Sequence, residues 1–270
     1  MDRIAVVDGE LEAQSMGSGE PVLFIPGVAI ADSFAPLLTE PALAQDYQLI
    51  SYHRRGYAGS SPHQGACSIA EQAADALAIL RHYGVAAGHI VGHSYGGAIA
   101  LQMALDAPTM VHSLALLEPG LFQVPATEQL MAALGPVTAD YENGDAQAAM
   151  KGFLTAVFNP GYEPALEKTL PAGWFQQVVA DADTLFKVEL PAIGEWAFTE
   201  EHAAGVNDVP VLAVLGAESG PFFAEGFALM QTWWPDAETI VLPNSSHTLQ
   251  MANPSAMAAG LARFFRAHPI

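Results

Sequence analysis

Short apolar runs alternate with amphipathic stretches along most of the chain. The first polar and apolar positions read as two antiparallel strands, Arg3 to Val7 and Leu11 to Met16, turned at Asp8-Gly9-Glu10. After them the apolar runs change character. Pro21 to Ile25, Tyr47 to Tyr52, Val111 to Leu117 and Val209 to Leu215 carry no every-second-residue polarity, which is the mark of strands covered on both faces in a parallel sheet. Helical periods fill the gaps between them. One helix is expected from about Asp32 to Ala44. Another follows the capping box Ser68-Ile69-Ala70-Glu71, sets Ile69, Ala73, Leu77, Leu80 and Tyr83 on one face, and stops at Gly84. A helix from about Phe222 to Trp234 precedes the strand Thr239 to Leu242. The last starts at Asn253-Pro254 and places Met257, Leu261, Phe264 and Phe265 on its core side. The pattern predicts an α/β fold, a mostly parallel central sheet with helices on both faces.

The alternation lapses once. From Leu121 to Asn207 no apolar strand recurs, and the segment is Ala- and Met-rich, helical in pattern and punctuated by Gly135-Pro136, Asn159-Pro160-Gly161, Pro164 and Pro171. In a strand-helix fold such an insertion is expected to form a cap over the C-terminal ends of the strands. The chain then divides into a first core part, 1–120, a helical cap, 121–207, and a second core part, 208–270.

Composition narrows the possible partners. A net charge of −20, from 29 acids against 9 bases, repels phosphate backbones and anionic membrane surfaces, so neither nucleic acid nor membrane is expected as a partner. The single cysteine, Cys67, cannot form an intrachain disulfide. The N-terminal residues lack the long uncharged stretch of a secretory signal, and a cytoplasmic location is the expectation. Nothing in the sequence fixes the oligomeric state.

Chemistry concentrates at His89-Ile90-Val91-Gly92-His93-Ser94-Tyr95-Gly96-Gly97. A short apolar strand ends there, glycines stand two residues either side of Ser94, and a small-residue helix follows to Ala107, closed by Pro108. This is the Gly-x-Ser-x-Gly nucleophile elbow in its strand-turn-helix setting. With the apolar strand and Pro26-Gly27-Val28-Ala29 before it, and His53-Arg54-Arg55-Gly56-Tyr57-Ala58-Gly59-Ser60-Ser61-Pro62 between, the chain resembles the α/β-hydrolase family. Two departures stand out. Pro26 occupies the place of the family's usual histidine, and His53 that of a usual acid.

The resemblance implies site residues. The backbone N–H groups of Val28 and Tyr95 would form the oxyanion hole. The arginines of the 53–62 loop would brace it through ion pairs. Of the nine histidines, His247 sits in the loop between the last strand and the last helix, where the family keeps its catalytic base. His89 and His93 are four apart on a strand and turn, so they form no helical metal pair. Most members carry the third member, an Asp, at the position of Ser219, which leaves Glu218 and Glu118 as candidates. Glu118 is the expected acid. It lies 118 − 94 = 24 residues after the serine, one helix plus one strand, and Glu118-Pro119 is similar to the pair found at this place in haloalkane dehalogenases and zearalenone-type lactone hydrolases.

The implied chemistry is serine hydrolase catalysis. His247, oriented by Glu118, deprotonates Ser94 for attack on an acyl carbon, and water releases the acyl-enzyme. No metal or organic cofactor is required. The expected substrate is a small apolar or aromatic ester or lactone, contacted in the cap by Trp174, Phe153 and Trp196. The same residues also suit a C–C bond hydrolase of a diketone or ring-fission product, a perhydrolase, or a non-catalytic small-ligand receptor.

Overall fold

The computed structural model describes all 270 residues. Eight strands form one sheet: β1 Asp2–Val6, β2 Gly9–Gly17, β3 Glu20–Ile25, β4 Tyr47–Tyr52, β5 Gly88–His93, β6 Val111–Leu117, β7 Val211–Gly216 and β8 Glu238–Leu242. Their order is β1-β2-β4-β3-β5-β6-β7-β8. β1 and β2 pair antiparallel, and β2 joins β4 antiparallel; every later pair is parallel. All six residues of β5 are buried, as the run without alternation predicts for a strand covered on both faces.

Each face of the sheet has its own core. The helices Ile69–His82 and Tyr95–Asp106 cover one, with Leu80, Ile99 and Leu101 packed on Leu23, Ile90 and Leu114. On the other, Leu261, Phe264 and Phe265 of the final helix Pro254–Ala267 pack on Phe24, Val91 and Leu212. The capping box at Ser68 and Glu71 is formed in full. The helix expected from Asp32 to Ala44 is instead two short pieces, a 3-10 turn Ala35–Thr39 and a single turn Pro41–Ala44. Pro36 and Pro41 explain the break, since neither can donate to a carbonyl in the preceding turn.

Between β6 and β7 the chain is helical, with Thr127–Glu142 packed on Ala146–Phe158 and shorter helices after them. This segment has a core of its own, in which Leu134, Met150, Phe153 and Leu185 meet Ala29 and Met251 from the sheet's loops. No helix of the protein is long and apolar enough to cross a membrane.

Candidate active site

β5 runs straight into Ser94, and the helix Tyr95–Asp106 begins one residue later. Ser94 has φ 55° and ψ −120°, a conformation an L-residue adopts only where its surroundings impose it. The surroundings are glycine on both sides. A Cβ on Gly92 would lie 2.4 Å from the Gly96 carbonyl oxygen, and one on Gly96 would lie 2.1 Å from that of Ile25, so any side chain there opens the turn. Ladder-like bonds complete the clamp. Ser94 N–H donates to Leu117 O at 3.0 Å, and Gly120 N–H donates to Ser94 O at 3.0 Å. The elbow is thereby stitched to the segment that carries Glu118.

Glu118 also stands at positive φ, 46°, just beyond the end of β6. Its Oε2 is 2.5 Å from His247 Nδ1, and its Oε1 accepts the Gly216 N–H at 2.7 Å. Both side chains are buried. Burial pushes the Glu118 carboxyl up to about 7, although the Gly216 N–H and the nearby Ser219 hydroxyl favour its charged form. Ser219 Oγ is near enough to be felt but makes no hydrogen bond of standard geometry. Burial likewise pulls His247 down to about 3, so the ring is neutral at physiological pH and its Nε2 is free to accept a proton.

Two further contacts fix the His247 ring and loop. Phe223 stacks on the imidazole with ring centroids 3.7 Å apart and planes 13° from parallel. His93 Nε2 lies 3.0 Å from the His247 carbonyl, and its Nδ1 lies 3.2 Å from Gln250 Nε2. A carbonyl can only accept, so Nε2 of His93 carries the proton and Nδ1 receives one from the amide. The second candidate acid lies elsewhere. Glu218 is exposed, its N–H donates to Ser245 O at 2.9 Å, and its carbonyl accepts from Asn159 at 2.8 Å. Glu118 and His247 are joined by a hydrogen bond; Ser94 Oγ and His247 are not, a contact that often forms only around bound substrate.

Gly27 packs against the serine, where a Cβ would sit 3.1 Å from Ser94 Cβ. Neither Val28 N–H nor Tyr95 N–H, on the two sides of Ser94, is used in a turn or side-chain bond. The loop's arginines form ion pairs. Arg55 grips Asp75 with Nε and Nη2 at 3.0 and 2.9 Å, and buried Arg54 pairs with buried Glu189. His53 bridges Glu12 and Asp32, each at 3.1 Å.

Ser94, Tyr95 and Val28 open onto a narrow cavity of about 50 Å³ whose walls are mostly apolar, with Phe122, Leu134, Phe153, Val157, Phe222 and Phe223 among them. Of the three cap residues expected to meet substrate, only Phe153 reaches this cavity. Trp174 lies beside an outer surface groove of about 360 Å³ with Lys151 and Glu163. Trp196 donates its indole N–H to Gln102 at 3.0 Å and packs on Phe198. Trp174 starts a short helix that buries Val178, Trp196 follows one that buries Ala192 and Ile193, and neither tryptophan lines the cavity at Ser94. Residues not anticipated include Phe222, Phe223 and Glu189. The Phe pair has a readable signal, since it lies in the first turn of the helix that follows β7, near the C-terminal end of that strand, where ligands of open α/β sheets gather. No group of three or more His, Cys, Asp or Glu side chains is arranged to hold a metal ion.

Comparison with known proteins agrees with this architecture. A segment of the chain is 36% identical over 107 residues to the dihydrolipoyllysine-residue acetyltransferase component of the acetoin cleaving system of Cupriavidus necator, covering 40% of this chain and 28% of that protein. Another is 33% identical over 141 residues to rhodomycin D methylesterase of Streptomyces peucetius, covering 48% of this chain and 46% of the relative. These matches thus span less than half of each relative's length. A solved thermophilic esterase from Thermogutta terrifontis superposes with a TM-score of 0.84 at 17% identity over the whole of both chains, a likeness of fold. The family model described as the alpha/beta hydrolase fold matches residues 20–254, which takes in every parallel strand, the elbow and the loop of His247, and the chain therefore belongs to the α/β-hydrolase family.

Proposed function

We propose that this chain is a serine hydrolase that cleaves a carboxylic ester or lactone of a small apolar substrate through an acyl-enzyme. The observation that carries the reading is the 2.5 Å bond between Glu118 and the Nδ1 of His247, made at the same end of the sheet as the strained Ser94. That bond fixes the tautomer in which Nε2 is the base and stabilises the imidazolium formed when the serine is deprotonated. Ser94 Oγ attacks the acyl carbon, the proton passes to His247, and the oxyanion is met by the N–H groups of Val28 and Tyr95. The imidazolium returns its proton to the leaving alkoxide. Water then adds to the acyl-enzyme by the same steps, releasing the acid and restoring Ser94.

In this reading the helical segment between β6 and β7 is a cap that walls the site and sets its size. The cavity of about 50 Å³ is small beside ligand pockets of about 300–1,000 Å³, which supports short acyl groups or a compact lactone. Likeness to a methylesterase supports ester cleavage. A series of p-nitrophenyl esters tests the proposal. Acetate and butyrate esters are expected to turn over with a burst of phenolate equal to the enzyme concentration, and octanoate more slowly. Absence of turnover across esters and lactones by folded protein refutes it.

A further inference from the structure

Buried Arg54 gives Nε and Nη2 of its guanidinium to the loop that carries Val28. Nε donates to Pro26 O at 2.9 Å, Nη2 to Gly27 O at 2.7 Å, and Nη1 to Gln72 Oε1 at 2.7 Å and to Glu189. The peptide bonds are all trans, and in a trans peptide the carbonyl and the N–H point in opposite directions. Holding the Gly27 carbonyl toward Arg54 therefore turns the Val28 N–H away from it, toward the side where Val28 and Ser94 share a cavity. One residue on, the Ala29 N–H donates to Tyr57 Oη at 3.1 Å, and Tyr57 Oη donates to the other oxygen of Glu189 at 2.5 Å. The two side chains that orient the loop, Arg54 and Tyr57, end on one carboxylate.

That carboxylate comes from the helical insertion, 135 residues after Arg54. Glu189 is fully buried, as is the guanidinium, and carbonyls and an amide alone would leave Arg54 with an uncompensated charge. The rings of Tyr57 and Tyr95, each about 5 Å from the guanidinium carbon, complete its enclosure. Resting on the acyl-transfer reading above, we propose that Glu189 is a positioning residue. Through Arg54 and Tyr57 it holds the Gly27–Val28 peptide in the orientation that presents Val28 N–H to the oxyanion, so the insertion completes the oxyanion hole as well as walling the cavity.

Steady-state kinetics with p-nitrophenyl acetate, thermal unfolding and fluorophosphonate labelling of Ser94 test this on two variants. Glu189→Gln keeps the shape of the side chain and removes its charge; Tyr57→Phe removes only the hydroxyl between Ala29 and Glu189. Losing one oxyanion donor outright costs roughly 10²–10³ in kcat, so a misdirected donor is expected to lower kcat about 10–100-fold in Glu189→Gln and several-fold in Tyr57→Phe. KM is expected to stay within about twofold, because a carbonyl in the ground state leans little on that donor. If Glu189→Gln does not fold, Tyr57→Phe decides alone. Folded variants with wild-type kcat, or with a raised KM and unchanged kcat, overturn the proposal. A wild-type protein that neither hydrolyses esters nor labels at Ser94 refutes the acyl-transfer reading itself, and this inference with it.

Discussion

The loops at the C-terminal edge of the sheet and the helices that follow β6 use sequence in different ways. At the sheet edge, two of the proposed catalytic residues, Ser94 and Glu118, hold positive φ angles where neighbouring segments clamp them: Ser94 bonds to Leu117 and Gly120, and Glu118 N–H bonds to Val214 O. Little there can shift without breaking a ladder. The helices opposite supply Leu134, Phe153 and Val157, apolar groups packed in or against a small core of their own, and Ile193, which packs into the core on the sheet. Such walls tolerate exchange of one apolar shape for another far better than the elbow tolerates a methyl group. On the proposed reading, reactivity and selectivity are separable in this molecule, except at Glu189, which belongs to the helices yet acts on the loop of Val28 through Arg54 and Tyr57.

Substitutions on the two sides should therefore fail in different ways. Ser94→Ala is expected to lower ester turnover by about 10⁴-fold or more while thermal unfolding stays near wild type, as loss of a nucleophile removes the whole covalent route. Glu118→Gln is expected to cost about 10²–10⁴ in kcat, whereas Glu218→Gln, an exposed side chain away from the histidine, changes it less than about twofold. The reverse ranking would move the acid to the other loop.

Glu118 also predicts a pH dependence. Burial holds the Glu118 carboxyl above its ordinary value, and on the proposed reading activity requires the charged carboxylate beside a neutral ring, so kcat/KM should rise with pH to a plateau whose midpoint, a property of the Glu118–His247 pair, lies above the ordinary carboxylate range. Stability carries the opposite sign for this group. Between about 4.5 and 7 the folded protein holds a proton on Glu118 that the unfolded chain has lost, so the contribution of this carboxyl to stability falls as pH rises through that window. Glu118→Gln should remove that slope and melt at or above the wild-type temperature at pH 8. A lower melting temperature there would show that the buried carboxylate stabilises the fold.

Effects on the helical side should be smaller and should depend on substrate. Phe153→Ala enlarges the cavity and is expected to shift the octanoate to acetate ratio of kcat/KM by about tenfold toward octanoate, at a cost in stability of roughly 3 kcal/mol. Trp174→Ala, beside an outer groove, should leave that ratio within about twofold. Comparable shifts from both would mean the two sites communicate.

Much of this was legible before any coordinates. Apolar runs without alternation marked the parallel strands, and the spacing of Gly92, Ser94 and Gly96 marked the elbow, because covered strands and close backbone approach demand those residue types. The walls were not. Trp174 and Trp196 looked like substrate contacts on size alone, but which face of a short helix turns inward is set by long-range packing that has no local period. Glu189 was hidden for the same reason, since its partner Arg54 lies 135 residues away and only the tertiary fold brings them together. The expected helix over 32–44 failed through a local cause, the prolines at 36 and 41.

Mass spectrometry after reaction with a fluorophosphonate asks whether the hydroxyl at the elbow is the activated group. A single phosphonyl adduct on Ser94 is expected, absent from Ser94→Ala and formed at least about tenfold more slowly in Glu118→Gln, since the base loses its orienting carboxylate. Folded protein that stays unmodified, or that carries the adduct on another residue, contradicts a serine-based mechanism.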